Sequence, residues 1–200
     1  MRHKVFISYH HSNDQWFKDE LVNLGEKHDI FLDQSVDTGD ILDYLDDESI
    51  REKIRDQYLR DSSVTIVLVG TETKGRKHVD WEIYSSMFDG PVNKRSGILV
   101  VNLPPIDTGN VWAPHGAEEK HLVYPEHKHW QSLSGRKEFE EKFPYMPSRI
   151  TDSLVKGVKI SVTRWDVLTP RRLRFLVDAA FSSRRSCQFD LSAPMRRRNT

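Results

Sequence analysis

Polar and acidic side chains gather in four short segments of the sequence, 9–14, 33–47, 71–79 and 102–105, each behind an apolar run. Their spacing decides which chemistry they could perform. The segment 33–47 is crowded with aspartates but lacks the Asp-x-Asp-x-Asp-Gly order of a calcium-binding loop. Segment 71–75 lacks the Gly-Lys-Ser/Thr ending of a phosphate-binding loop, and Gly-x-Ser-x-Gly is absent, which disfavours a serine hydrolase. A phosphoacceptor domain needs an acidic pair after its first strand and an aspartate ending the third. The chain has Tyr9-His10-His11 and Val69-Gly70-Thr71 there. His115, His121, His127 and His129 have neither a cysteine cluster nor the spacing of helical ligands, so no metal is expected. His10 reads either as a proton-transfer group or as an ordinary surface histidine. Position alone also leaves Glu82 open, because an acid in the first turn of a helix is favoured by the helix dipole.

The elements that must position these groups follow from hydropathy. Residues 4–9, 29–32, 64–70 and 97–103 are apolar, β-branched runs, and 158–162 is a weaker fifth. The nearly continuous apolar character of 64–69 is that of a parallel strand covered on both faces. Helical spacing appears in 13–27, where Trp16, Phe17, Leu21 and Leu24 share a face and Ser12 or Asn13 is available as a cap. It recurs in 48–59, 79–88 and 170–181. Alternation of strand and helix predicts a flavodoxin-like α/β domain, an open parallel sheet of about five strands flanked by helices. Such a sheet binds ligands beyond the carboxyl ends of its strands, which is where the four polar segments fall. One domain is expected over 1–200, with its core elements in 4–103 and 148–183. Residues 104–147, rich in proline and histidine and without a sustained period, read as an elaborated loop region that could form part of a ligand lid.

Composition narrows the setting. Of 200 residues, 37% are hydrophobic and 30% charged, enough apolar material for a real core beneath a well-solvated surface. A single cysteine, Cys187, and no signal-peptide core behind Met1 point to the cytoplasm. No apolar run approaches the roughly 20 residues of a membrane helix, so no membrane is expected as a partner. The formal net charge is +0, which gives no general attraction to nucleic acid. Acids are concentrated between Asp33 and Glu48, and bases toward Arg196-Arg197-Arg198. Two readings stay open: a solvated loop with a frayed basic tail over 184–200, or head-to-tail self-association of opposite charges.

Phe6-Ile7-Ser8-Tyr9-His10, the acidic loop after Phe31-Leu32-Asp33, the apolar strand through 63–70 and Arg76-Lys77-His78-Val79-Asp80-Trp81-Glu82-Ile83 stand in an order that resembles bacterial TIR-like proteins. The ordered set is most similar to the TIR-like, ThsB-type component of Thoeris anti-phage defence, and the likeness runs on through Trp165, Leu173 and Asp178-Ala179. The resemblance implies an enzyme that consumes NAD+ as a substrate, with no bound cofactor, and releases an ADP-ribose-derived signal, cyclic or not, to a partner effector. It also implies self-association through TIR-like surfaces. The family's essential glutamate falls on Glu82. Breaking the nicotinamide–ribose bond develops oxocarbenium character, which one fixed anion beside the ribose stabilises. Nicotinamide is already a cationic leaving group, so the step needs no metal. The same resemblance puts Ser8, Tyr9, His10, Asp33, Thr71 and Trp81 around NAD+, with Asp33 opening the loop that borders the nicotinamide pocket. Trp81 could equally be a buried helix–sheet tryptophan. The alternative function is a non-catalytic interaction scaffold, because fold does not fix function.

Overall fold

A computed structural model describes residues 2–35, 46–59, 61–91, 94–106 and 109–200. Five strands, β1 (His3–Ser8), β2 (Phe31–Asp33), β3 (Val64–Val69), β4 (Gly97–Asn102) and β5 (Ser161–Arg164), form one sheet. Every pairing is parallel and the order is β2-β1-β3-β4-β5. The flavodoxin-like arrangement expected from the alternation of elements is therefore present. The chain reverses its direction of travel across the sheet beside β1, and the crevice between the ends of β1 and β3 is the place where such sheets bind ligands.

The strands are buried on both faces, and their two-residue period sorts side chains between two cores. Val5 and Ile7 of β1 and Val64, Ile66 and Leu68 of β3 join one cluster with Leu21 of α1 (His11–Lys27) and Leu173, Leu176 and Val177 of α7 (Pro170–Ser183). Val67 and Val69 point to the opposite face. There they meet Val79, Ile83 and Met87 of α3 (Lys77–Met87) and Ile150 and Leu154 of α6 (Ser148–Val155). A third cluster joins Phe6 to Ile54, Leu59, Trp81 and Met195. By the same alternation Ser8 lies on the α3 side of β1, two residues after Phe6.

Several boundaries differ from those read in the sequence. Helix α1 begins two residues earlier, and its cap is His10, whose extended backbone turns its carbonyl to accept from the N–H groups of Asn13 and Asp14. Neither Ser12 nor Asn13 serves as the cap, because both are already inside the helix. The 48–59 helix is α2 (Asp47–Lys53) followed by a wider π turn, Ile54–Tyr58, closed by the Leu59 N–H on the Ile54 carbonyl. The fifth strand starts three residues later than expected, since Gly157 turns with φ +77° and Val158 still bonds back to Ser153. Within 104–147 two short helices form, α4 (Ala117–Val123) and α5 (Arg136–Lys142), and α6, which periodicity missed, follows at once. The basic tail is held along its root rather than frayed throughout, and its last four residues are exposed. From Cys187 onward it runs back across α6 and α3, burying Met195 to 3% exposure.

Candidate functional site

The chemistry-bearing residues converge where β1 and β3 end. Ser8 closes β1 on the α3 face, and α3 runs back beneath the sheet, so a side chain in its second turn meets the end of β1. That side chain is Glu82. It is 2% exposed, and Ser8, fully buried, donates its hydroxyl to Glu82 Oε2 at 2.6 Å. The partners are 74 residues apart in sequence. Thr65 donates to Ser86 Oγ at 2.8 Å one helical turn further on, so a seam of polar groups joins α3 to the sheet. A buried carboxylate sharing a short hydrogen bond is held in one orientation, which a group stabilising a developing cation requires.

Above this pair opens a cleft of about 190 Å³. Tyr9, His10, His11 and Ser12 form one wall, and Arg76, His78 and Val79 the other. Asn199, from the far end of the chain, completes it. Glu82 does not line this cleft. It lies one turn beyond His78 and Val79 on the same helical face, with Ser8 directly before Tyr9.

Burial lowers the His10 pKa first, and the nearby charges of Arg76 and His11 lower it further, which favours the neutral imidazole. His10 Nδ1 is buried without a hydrogen-bond partner. Tyr9 stacks on His11, with ring centroids 4.4 Å apart, and donates its hydroxyl to Gln15 at 2.7 Å.

The remaining expected residues stand differently. Asp33 is partly buried and its Oδ1 accepts from both the N–H and the hydroxyl of Ser35, while Lys18 Nζ lies 3.4 Å from its Oδ2. That contact gives the first part of the anionic loop a local counter-charge, and residues 36–45 of that loop lie outside the described residues. Thr71 is exposed. Trp81 is 1% exposed, packed on Phe6 and Met195, and its indole N–H donates to the Arg196 carbonyl at 2.8 Å. In this structure its side chain fills the domain interior and anchors the tail.

Two further groups at the sheet edge were covered by the segments read in sequence but not singled out. Asp14 is 7% exposed, and burial raises its pKa against the opposing bonds from His10 and Thr73. Its carboxylate sits so close to Gly70 that a Cβ there would come within 2.7 Å of it, while Thr73 Oγ1 accepts from the Gly70 N–H at 2.8 Å. Any larger residue where β3 ends would therefore displace the Asp14 carboxylate. Position beyond the strands was the available signal for Asp14, Thr73, Arg76 and His78; for Asn199 there was none. Among the described residues no three His, Cys, Asp or Glu side chains gather as metal ligands would, and no helix is long and apolar enough to cross a membrane.

Comparison with known families agrees with this fold. A family model described as "Thoeris protein ThsB, TIR-like domain" matches residues 6–107, just over half of the chain, from the second half of β1 through β4 and including α3. No curated protein matches the chain.

Proposed function

The chain belongs to the Thoeris ThsB TIR-like family of anti-phage defence proteins, and from that membership we propose that it cleaves the nicotinamide–ribose bond of NAD+. The observation that carries the proposal is the Ser8–Glu82 pair, a buried carboxylate with a fixed hydrogen-bond donor at the crevice where β1 and β3 end. Glu82 is the catalytic carboxylate. As the glycosidic bond lengthens, positive charge spreads over C1 and the ring oxygen of the ribose, and the Glu82 anion offsets it. Nicotinamide leaves with the bonding electron pair and becomes neutral. The ribosyl cation is then captured by water or by a nucleophile of the same molecule, which yields an ADP-ribose-derived signal for a partner effector in the cytoplasm. Neutral His10 and the Arg76 guanidinium on the cleft walls supply polar contacts for the anionic part of the dinucleotide.

Nicotinamide release from NAD+ by purified protein, with phage-infected lysate supplied as the activating cue, tests the reading. The intact chain is expected to release nicotinamide, and Glu82→Gln, which keeps the hydrogen bond but loses the charge, is expected to lose at least about a hundredfold in rate. Undiminished release by the Gln variant would remove Glu82 from the mechanism.

A further inference from the structure

We infer that the last residues of the chain form a detachable strap over the mouth of the cleft, and that the strap must leave before a dinucleotide can reach Glu82. This rests on the reading of the cleft as an NAD+ site. Its first ground is size. A ligand pocket for a molecule of this class spans roughly 300–1,000 Å³, whereas the cleft here is about 190 Å³ and excludes Glu82 from its walls.

The second ground is how the tail is held. Its root is secured in depth. Arg149, 4% exposed, forks onto Asp80 with bonds of 3.0 and 3.1 Å and donates to the carbonyls of Ala193 and Pro194. Met195 fills the Phe6–Trp81 cluster, and the Arg196 N–H donates to Asp80 Oδ2 at 2.8 Å. Beyond Arg196 the character changes. Residues 197–200 are exposed. Asn199 Oδ1 accepts from the Lys77 N–H at 2.9 Å, and the Thr200 N–H donates to the Gly75 carbonyl at 3.1 Å. The Asn199 bond is solvent-exposed, and a bond of this kind exchanges almost evenly with water. The buried root keeps the tip close to the cleft at high effective concentration, while the tip itself opens readily.

The third ground is Gly75. A Cβ on this residue would stand 2.1 Å from the Thr200 carbonyl oxygen, and its three nearest neighbours would all be Thr200 atoms. The backbone approach that glycine permits here serves the seating of the tip.

The test measures NAD+ binding by titration calorimetry in a Glu82→Gln background, so that turnover does not consume the ligand. Two changes release the tip from opposite sides: a chain ending after Arg196, which keeps the buried root, and Gly75→Ala in the full-length chain. Each is expected to lower the apparent dissociation constant about tenfold, because the strapped population no longer competes. Combined, they should tighten binding no further than the shortened chain alone, since both remove one event. Unchanged or weakened affinity in either variant, or no detectable binding in both, would overturn the strap. The catalytic reading fails separately: tighter binding in the opened forms, with no nicotinamide release when Glu82 is intact, would leave the strap standing and remove the cleavage.

Discussion

Glu119 offers a prediction whose size follows from its surroundings. It lies in the first turn of α4 with no solvent exposure. Burial drives its pKa up from 4.5 to about 7, against the opposing bonds from the Ser161 hydroxyl at 2.5 Å and the His115 N–H at 2.8 Å and the charge of Lys120. A folded-state pKa above the unfolded one means that the native chain holds this proton more tightly. The associated stability is fully present below pH 4.5 and is lost as pH rises through 7. At about 1.36 kcal/mol per pH unit the whole displacement amounts to ~3 kcal/mol, most of which falls between pH 5 and pH 8. Oε2 accepts from the His115 N–H, so a protonated Glu119 carries its proton on Oε1 and donates it to Ser161 Oγ, whose hydroxyl donates to Oε1 when the carboxylate is ionised. Glutamine reproduces that pattern, with its amide oxygen toward His115 and its NH2 toward Ser161. Urea unfolding of the intact protein and Glu119→Gln at pH 5 and pH 8 isolates the contribution, since every other titrating group is common to both. The intact protein should lose about 2–3 kcal/mol more than the variant on going to pH 8. Equal losses, or a relative gain by the intact protein, would show that the carboxylate is ionised and well accommodated, and the burial argument would fail.

Two other outcomes follow from single contacts. Ser8→Ala removes the donor to Glu82 without touching the cleft walls, so nicotinamide release should fall about tenfold in kcat with KM nearly unchanged; an unaltered kcat would show that the hydroxyl does not hold the carboxylate. Gly97→Ala would place a methyl 2.0 Å from the Ala180 carbonyl oxygen, a backbone atom that yields only if α7 shifts off β4. A loss of about 2 kcal/mol and a Tm lower by roughly 4–8 °C are expected, and a melting temperature within a degree of the parent would refute that packing.

The core strands were legible because their side chains are apolar on both faces, a local property that needs no knowledge of partners. β3 and β4 accordingly lie within one residue of their expected limits. The fifth strand slid by three residues because a positive-φ glycine and a bond to Ser153, neither visible in hydropathy, hold Val158 in a turn. The short helices of 104–147 were hidden for a related reason. Seven residues are too few for a periodic signal, and they are stabilised by anchors such as Phe139 and Val123 in the two main cores. At the site, Ser8 and Glu82 could each be named from sequence, but neither points to the other across 74 positions.

By itself the sequence determined the alternation of buried strands and amphipathic helices, hence a parallel sheet with its polar segments along one edge. It also determined which carboxylate the family resemblance selects. Only the tertiary structure decided what surrounds that carboxylate. Strand alternation turned Ser8 toward α3, helix packing buried Trp81 beneath the tail, and the buried root at Arg149 and Met195 brought Asn199 to the cleft mouth. The reason is physical. Burial and period are written residue by residue, whereas a hydrogen bond between distant segments exists only once the cores that hold both ends have closed.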